Sequence, residues 1–135
     1  MNDIIDELRA MNLDRFGSIE LPDEDQLVEI EEELLIGIPP DFKEYLLEAS
    51  DVVVGTLTPV TVTDPHAHTH LPEVTATAWS IGLPRDVIPV CETPDGYYAM
   101  SSEGVISFWE RETEEFGEQE WENIWDWVEK VWMQS

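Results

Sequence analysis

The chain has 135 residues, of which 42% are apolar, six are tryptophan and one is cysteine. That is enough length and apolar content for one packed domain without disulfides, and it excludes a disordered acidic tail. With 31 Asp and Glu against six Lys and Arg, the net charge is −25, so nucleic acid and anionic membranes are excluded as partners and basic surfaces are favoured.

No basic stretch followed by a long apolar run opens the chain. No signal peptide is expected, and a cytoplasmic location is the default. Asp3 suits the cap of a first helix with Ile4, Ile5, Leu8 and Met11 on one face. Leu21-Pro22 opens a second helix. Asp23, Glu24 and Asp25 favour its positive end, and Leu27, Ile30, Leu34 and Leu35 form its inward stripe up to Gly37. Pro39-Pro40-Asp41 opens a third, with Phe42, Tyr45, Leu46 and Ala49 inward.

The grammar changes after Val52. Thr56 to Val62 alternates like a strand, and Val74 to Trp79 reads equally as strand or short helix. Val87–Glu92, Tyr97–Met100 and Val105–Trp109 are separated by the turn residues Pro94-Asp95-Gly96 and Ser102-Glu103-Gly104. They predict an antiparallel meander. Trp121, Ile124, Trp125, Val128, Val131 and Trp132 recur at helical spacing and predict a closing amphipathic helix. Trp127 falls off that stripe and is expected at the surface. The order predicts a single α+β domain over 1–135: an antiparallel sheet of about four to six strands, two or three N-terminal helices and one C-terminal helix.

Few residues carry chemistry. Cys91 sits in the apolar run Val87–Cys91 and reads as a buried thiol. All three histidines lie in Asp64-Pro65-His66-Ala67-His68-Thr69-His70. On an extended strand they share one face and, with Asp64, offer a ligand set for zinc or nickel. The segment reads more simply as a polar crossing loop, since no further cysteine or histidine completes the set; no metal or other cofactor is expected. No nucleophile elbow or phosphate-binding glycine loop is present. An enzyme is not expected.

Acids crowd residues 1–51 and 103–129, whereas 52–91 hold only Asp64, Glu73 and Asp86. The densest piece, Glu110-Arg111-Glu112-Thr113-Glu114-Glu115-Phe116-Gly117-Glu118, reads as a flexible loop. It suits either a solvated connector or a contact for a basic partner, with Glu110, Glu112, Glu114, Glu115 and Glu118 supplying charge and Trp109 or Phe116 beside the loop, or Trp127, an aromatic anchor.

Three segments resemble the SUKH superfamily, which includes the fungal SMI/KNR cell-wall regulators and many bacterial immunity proteins. Glu33-Leu34-Leu35-Ile36-Gly37-Ile38-Pro39-Pro40-Asp41-Phe42 is similar to its acidic helix, Gly-Pro break and Asp-aromatic helix start. Val87–Val90, Asp95–Tyr98 and Gly104–Trp109 resemble its meander, and Trp121–Val128 its closing aromatic helix. The resemblance covers about residues 20–132. It departs at Ser50-Asp51-Val52, where the family commonly has Asn-Gly-Gly, and over 52–82, which match no family motif. The resemblance implies a non-enzymatic binder, in bacteria one that neutralises a toxin, often a nuclease. A regulatory or scaffold module without a toxin is the alternative, and a metal-binding protein or metal enzyme through His66, His68 and His70 the minor one.

Overall fold

Side chains close the ends of the N-terminal helices. In the computed structural model, which describes residues 3–11, 21–52, 54–63 and 69–135, α1 spans Asp3–Ala10, α2 Glu24–Leu34 and α3 Pro40–Glu48. Helix α1 already includes Asp3. It buries Leu8 with Ile4 and Ile5 beside it, while Met11, expected on that face, lies just past the helix and is exposed. Arg9 ties its last turn to the end of α3, donating to the Glu48 carbonyl at 2.6 Å and pairing with Asp51 at 2.9 Å.

Helix α2 starts at Glu24, two residues later than Pro22 suggests. Asp23 is its cap: the Asp23 carboxylate accepts from the Gln26 N–H at 2.8 Å, and the Gln26 side chain accepts from the Asp23 N–H at 3.0 Å. The helix also stops before Gly37. Leu35 adopts a left-handed conformation, φ 57°, and closes the end. That turn swings Leu35 out of the inward stripe, leaving it 90% exposed, while Leu27 and Ile30 are buried. Helix α3 buries Phe42, Tyr45, Leu46 and Ala49 as their spacing predicts.

Residues 56–62 do not form the expected strand. The segment makes isolated bridges, Pro59 to Cys91 in the sheet and Thr61 to His70 just before the next helix. Pro59 has no N–H to donate, and Pro59, Val60, Thr61 and Val62 are all buried, so their alternation does not mark a two-faced strand. The ambiguous stretch beyond is helix α4, Leu71–Ser80. Leu71, Val74, Thr75 and Ala78 are its buried side, at i, i+3, i+4 and i+7.

The sheet is an antiparallel meander in the order β1-β2-β3-β4: β1 Ile88–Thr93, β2 Gly96–Met100, β3 Ile106–Glu110 and β4 Glu115–Trp121. The first three strands lie where the sequence puts them. The fourth takes up the second half of the expected flexible acidic loop, from Glu115 on, and Trp121 ends it rather than beginning a helix.

Helix α5, Ile124–Trp127, is capped by the Asn123 side chain, which accepts from the Asp126 N–H at 2.8 Å. It continues as a π-helical turn over Val128–Trp132, and the Met133 N–H reaches the Val128 carbonyl at 2.8 Å. Residues five apart then share a face. Trp127 and Trp132 stack at 6.4 Å, and Trp127, expected at the surface, is fully buried. Helix α5 packs on α3 and β4, α4 on β1, and α2 on α4, so one apolar cluster runs from the helices to the sheet. Among the described residues no helix is long and apolar enough to cross a membrane.

Candidate partner-binding surface

Strand β4 is at the rim of the sheet, and its sequence is made for water. Every residue from Glu110 to Glu120 is exposed on one face or the other. The Arg111 N–H bonds the Asp95 carbonyl at 3.0 Å, and the Glu114 N–H bonds the Glu110 carbonyl at 2.9 Å, closing a tight turn between β3 and β4. Glu114 takes φ 56° there, and its carboxylate lies over Gly82. Only four residues separate the two strands, so the acids are displayed on a braced hairpin rather than a loop.

Register explains the hairpin's shape. Glu110 pairs with Glu115 and Trp109 with Phe116, whereas Ser107 pairs with Glu120. Strand β4 thus carries extra residues around Gly117 and Glu118, a bulge that bends it. Glu110, Glu112, Glu114, Glu115, Glu118 and Glu120 all project from this short piece. The one cation of the segment does not offset them at the tip. Arg111 turns back to Glu92 at 3.3 Å and lies over the Tyr97 ring at 5.3 Å. The Tyr97 hydroxyl donates to the same Glu92 at 3.0 Å; burial, then that carboxylate, raises its pKa.

Two of the three expected aromatic anchors are elsewhere. Trp109 packs beneath the hairpin against Tyr97, with ring centroids 6.2 Å apart, and Trp127 lies in the core. Neither ring is presented at the surface: the inward side of β3 takes the first and the π-turn the second. The ring that the hairpin does offer is Phe116, 41% exposed. It is flanked by Glu114, Glu115 and Glu118, and its place inside that acidic run is what marks it in the sequence.

A second acidic surface lies between α2 and α3. Leu27, Val28 and Leu47 floor a groove of about 630 Å³, and Glu24, Glu44 and Glu48 stand along it. Glu31 fixes the corner that holds the two helices apart. Its carboxylate accepts from the Ile38 N–H at 2.9 Å and pairs with Lys43 at 3.1 Å. Partial desolvation pulls its pKa up, but those two partners outweigh it and leave the pKa below the ordinary value.

The other candidate groups have separate fates. Asp64, His66 and His68 lie outside the described residues, and His70 precedes α4, half-buried. Among the described residues no three His, Cys, Asp or Glu side chains are grouped to hold a metal. Cys91 is buried as expected, and burial pushes its thiol pKa up to about 12. It is therefore held as the neutral thiol at pH 7.

Comparison with known proteins places these features in a wider set. The family model SUKH_5, described as SMI1-KNR4 cell-wall, matches residues 1–133. The crystal structure of a protein from Pseudomonas syringae pv. tomato is similar over 100% of both chains, with 50% sequence identity and a TM-score of 0.94. No curated protein matches the chain.

Proposed function

Because the chain belongs to the SUKH family of SMI1-KNR4 type, we propose that it is a non-enzymatic binding domain that neutralises a basic toxin, such as a nuclease, by covering its surface. The observation that carries this reading is the β3–β4 hairpin. It is exposed throughout Glu110–Glu120, dense in carboxylates, and its lone cation is turned away. A nuclease holds a polyanion on a basic face, and an acidic hairpin on a rigid sheet competes for that face. Charge brings the two proteins together, and Phe116 supplies apolar contact. The neutral, buried thiol of Cys91 agrees with a role that is not nucleophilic catalysis.

The test is to assay the toxin domain encoded beside this chain with and without it. Stoichiometric protection is expected for the wild type. Protection should weaken for Glu112→Lys/Glu114→Lys/Glu115→Lys at equal protein concentration. Absence of any complex with that toxin, in low salt as well as high, would overturn the reading.

A further inference from the structure

The α2–α3 groove lies on different elements from the hairpin. Its lining residues fall at helical spacing on both walls: Glu24, Leu27, Val28 and Glu31 on α2, and Lys43, Glu44, Leu47 and Glu48 on α3. Each wall therefore presents one continuous helix face. Val28, on the α2 wall, is 48% exposed. This bare aliphatic side chain on the chain's most acidic helix is not needed for the core, which α2 already reaches through Leu27 and Ile30.

The charges around the groove are one-sided. Its only cation among the described residues, Lys43, is spent on Glu31, and Glu44 keeps one oxygen on the Trp125 indole at 2.7 Å. Glu24 and Glu48 remain exposed along the apolar floor. The wall on α3 runs from Pro40 to Glu48, about 12 Å at ~1.5 Å per residue, or roughly two turns of a docked helix. A second copy of this chain would set like charges against each other here. An apolar stripe flanked by lysine or arginine would meet both the floor and the rim.

We infer that the α2–α3 groove is a docking site for a basic amphipathic helix on a protein partner. This rests on the chain being a protein-binding domain but not on the hairpin's role, so the two surfaces can fail separately. The probe is a synthetic Leu/Lys peptide of about 15 residues, long enough to be helical, with leucines at i, i+3, i+4 and i+7. A scrambled peptide of the same composition is its control. Amide shifts in the isotope-labelled protein should concentrate in Glu24–Glu48, and the amphipathic peptide should bind about tenfold more tightly than the scrambled one.

Val28→Ser should abolish most of that preference. Val28 lines the groove and is exposed, so the change leaves the core intact. Glu112→Gln/Glu115→Gln in the hairpin should leave the preference intact. Equal binding of both peptides, shifts confined to 110–120, or a dimer of the free protein that Val28→Ser dissolves would each overturn the inference. Toxin is absent throughout, so failure here leaves the hairpin reading standing, and loss of toxin binding leaves this one.

Discussion

Gly96 and Gly104 both sit at hairpins, yet they respond to different constraints. A Cβ on Gly96 would strike the Trp109 carbonyl, a backbone atom that cannot step aside without breaking the β2–β3 ladder. Gly104 has open space around it and needs glycine only for φ 90°. Gly96→Ala should therefore cost about 3 kcal/mol and Gly104→Ala about 1 kcal/mol, read from urea unfolding; equal costs would refute the close approach. The buried tryptophans offer a parallel contrast. Trp132 Nε1 donates at 3.1 Å to the carbonyls of both Val54 and Leu57, whereas Trp127 Nε1 has no hydrogen-bond partner among the described residues. Trp132→Phe leaves two acceptors stranded and should lose about 2 kcal/mol more than Trp127→Phe.

Glu31 carries a pH signature. Its folded pKa lies below the ordinary carboxylate value, so the folded state holds the proton less tightly than the unfolded chain does. Its contribution to stability is present above the ordinary carboxylate pKa and is lost as the pH falls through the lowered folded value. Glu31→Gln should be less stable than wild type at neutral pH, and the two should converge in acid. The pair with Lys43 is part-exposed, so the difference should be small, within about 1 kcal/mol.

At the scale of elements, the sequence was legible wherever burial was one-sided. Phe42, Tyr45, Leu46 and Ala49 face inward at helical spacing, and β1, β2 and β3 fall between turn signals. It was misleading where that assumption broke. Strand β4 is exposed on both faces up to Trp121, so Glu115-Phe116-Gly117-Glu118-Gln119-Glu120 has no apolar rhythm to declare a strand. The segment 59–62 fails in the opposite sense, buried on both sides. A period of 3.6 applied to 121–132 puts Trp127 outside, but the π-turn places it beside Trp132. The candidate site was half legible for the same reasons: its acids are where the sequence puts them, but they stand on a hairpin rather than a loop, and of the three expected rings only Phe116 is at the surface. The junction of β4 with α5 turns on Asn123, and Asn123→Ala should cost about 1 kcal/mol; an unchanged unfolding midpoint would show that the cap is dispensable.

Across the whole molecule, charge is the dominant unbalanced quantity. Arg9, Lys43, Arg111 and Lys130 are each committed to a carboxylate of this chain, and Arg85 lies over Trp79 at 5.6 Å. The remaining acids repel one another through solvent, a cost that salt relieves. The unfolding midpoint should rise as sodium chloride is increased from about 10 mM to about 300 mM, over which the screening length falls several-fold. A fall would mean that the ion pairs, not the repulsion, govern stability. The same unbalanced field is available to a basic partner, whose binding removes the repulsion while it forms the contact.

Stopped-flow association with a basic toxin domain of the kind proposed as partner, measured against salt for wild type and Glu112→Lys/Glu114→Lys/Glu115→Lys, tests the hairpin most directly. The wild-type rate should fall steeply as salt rises, and the variant should be slower by about tenfold at low salt with a flatter dependence. Identical rates and identical salt slopes for the two proteins would contradict the account.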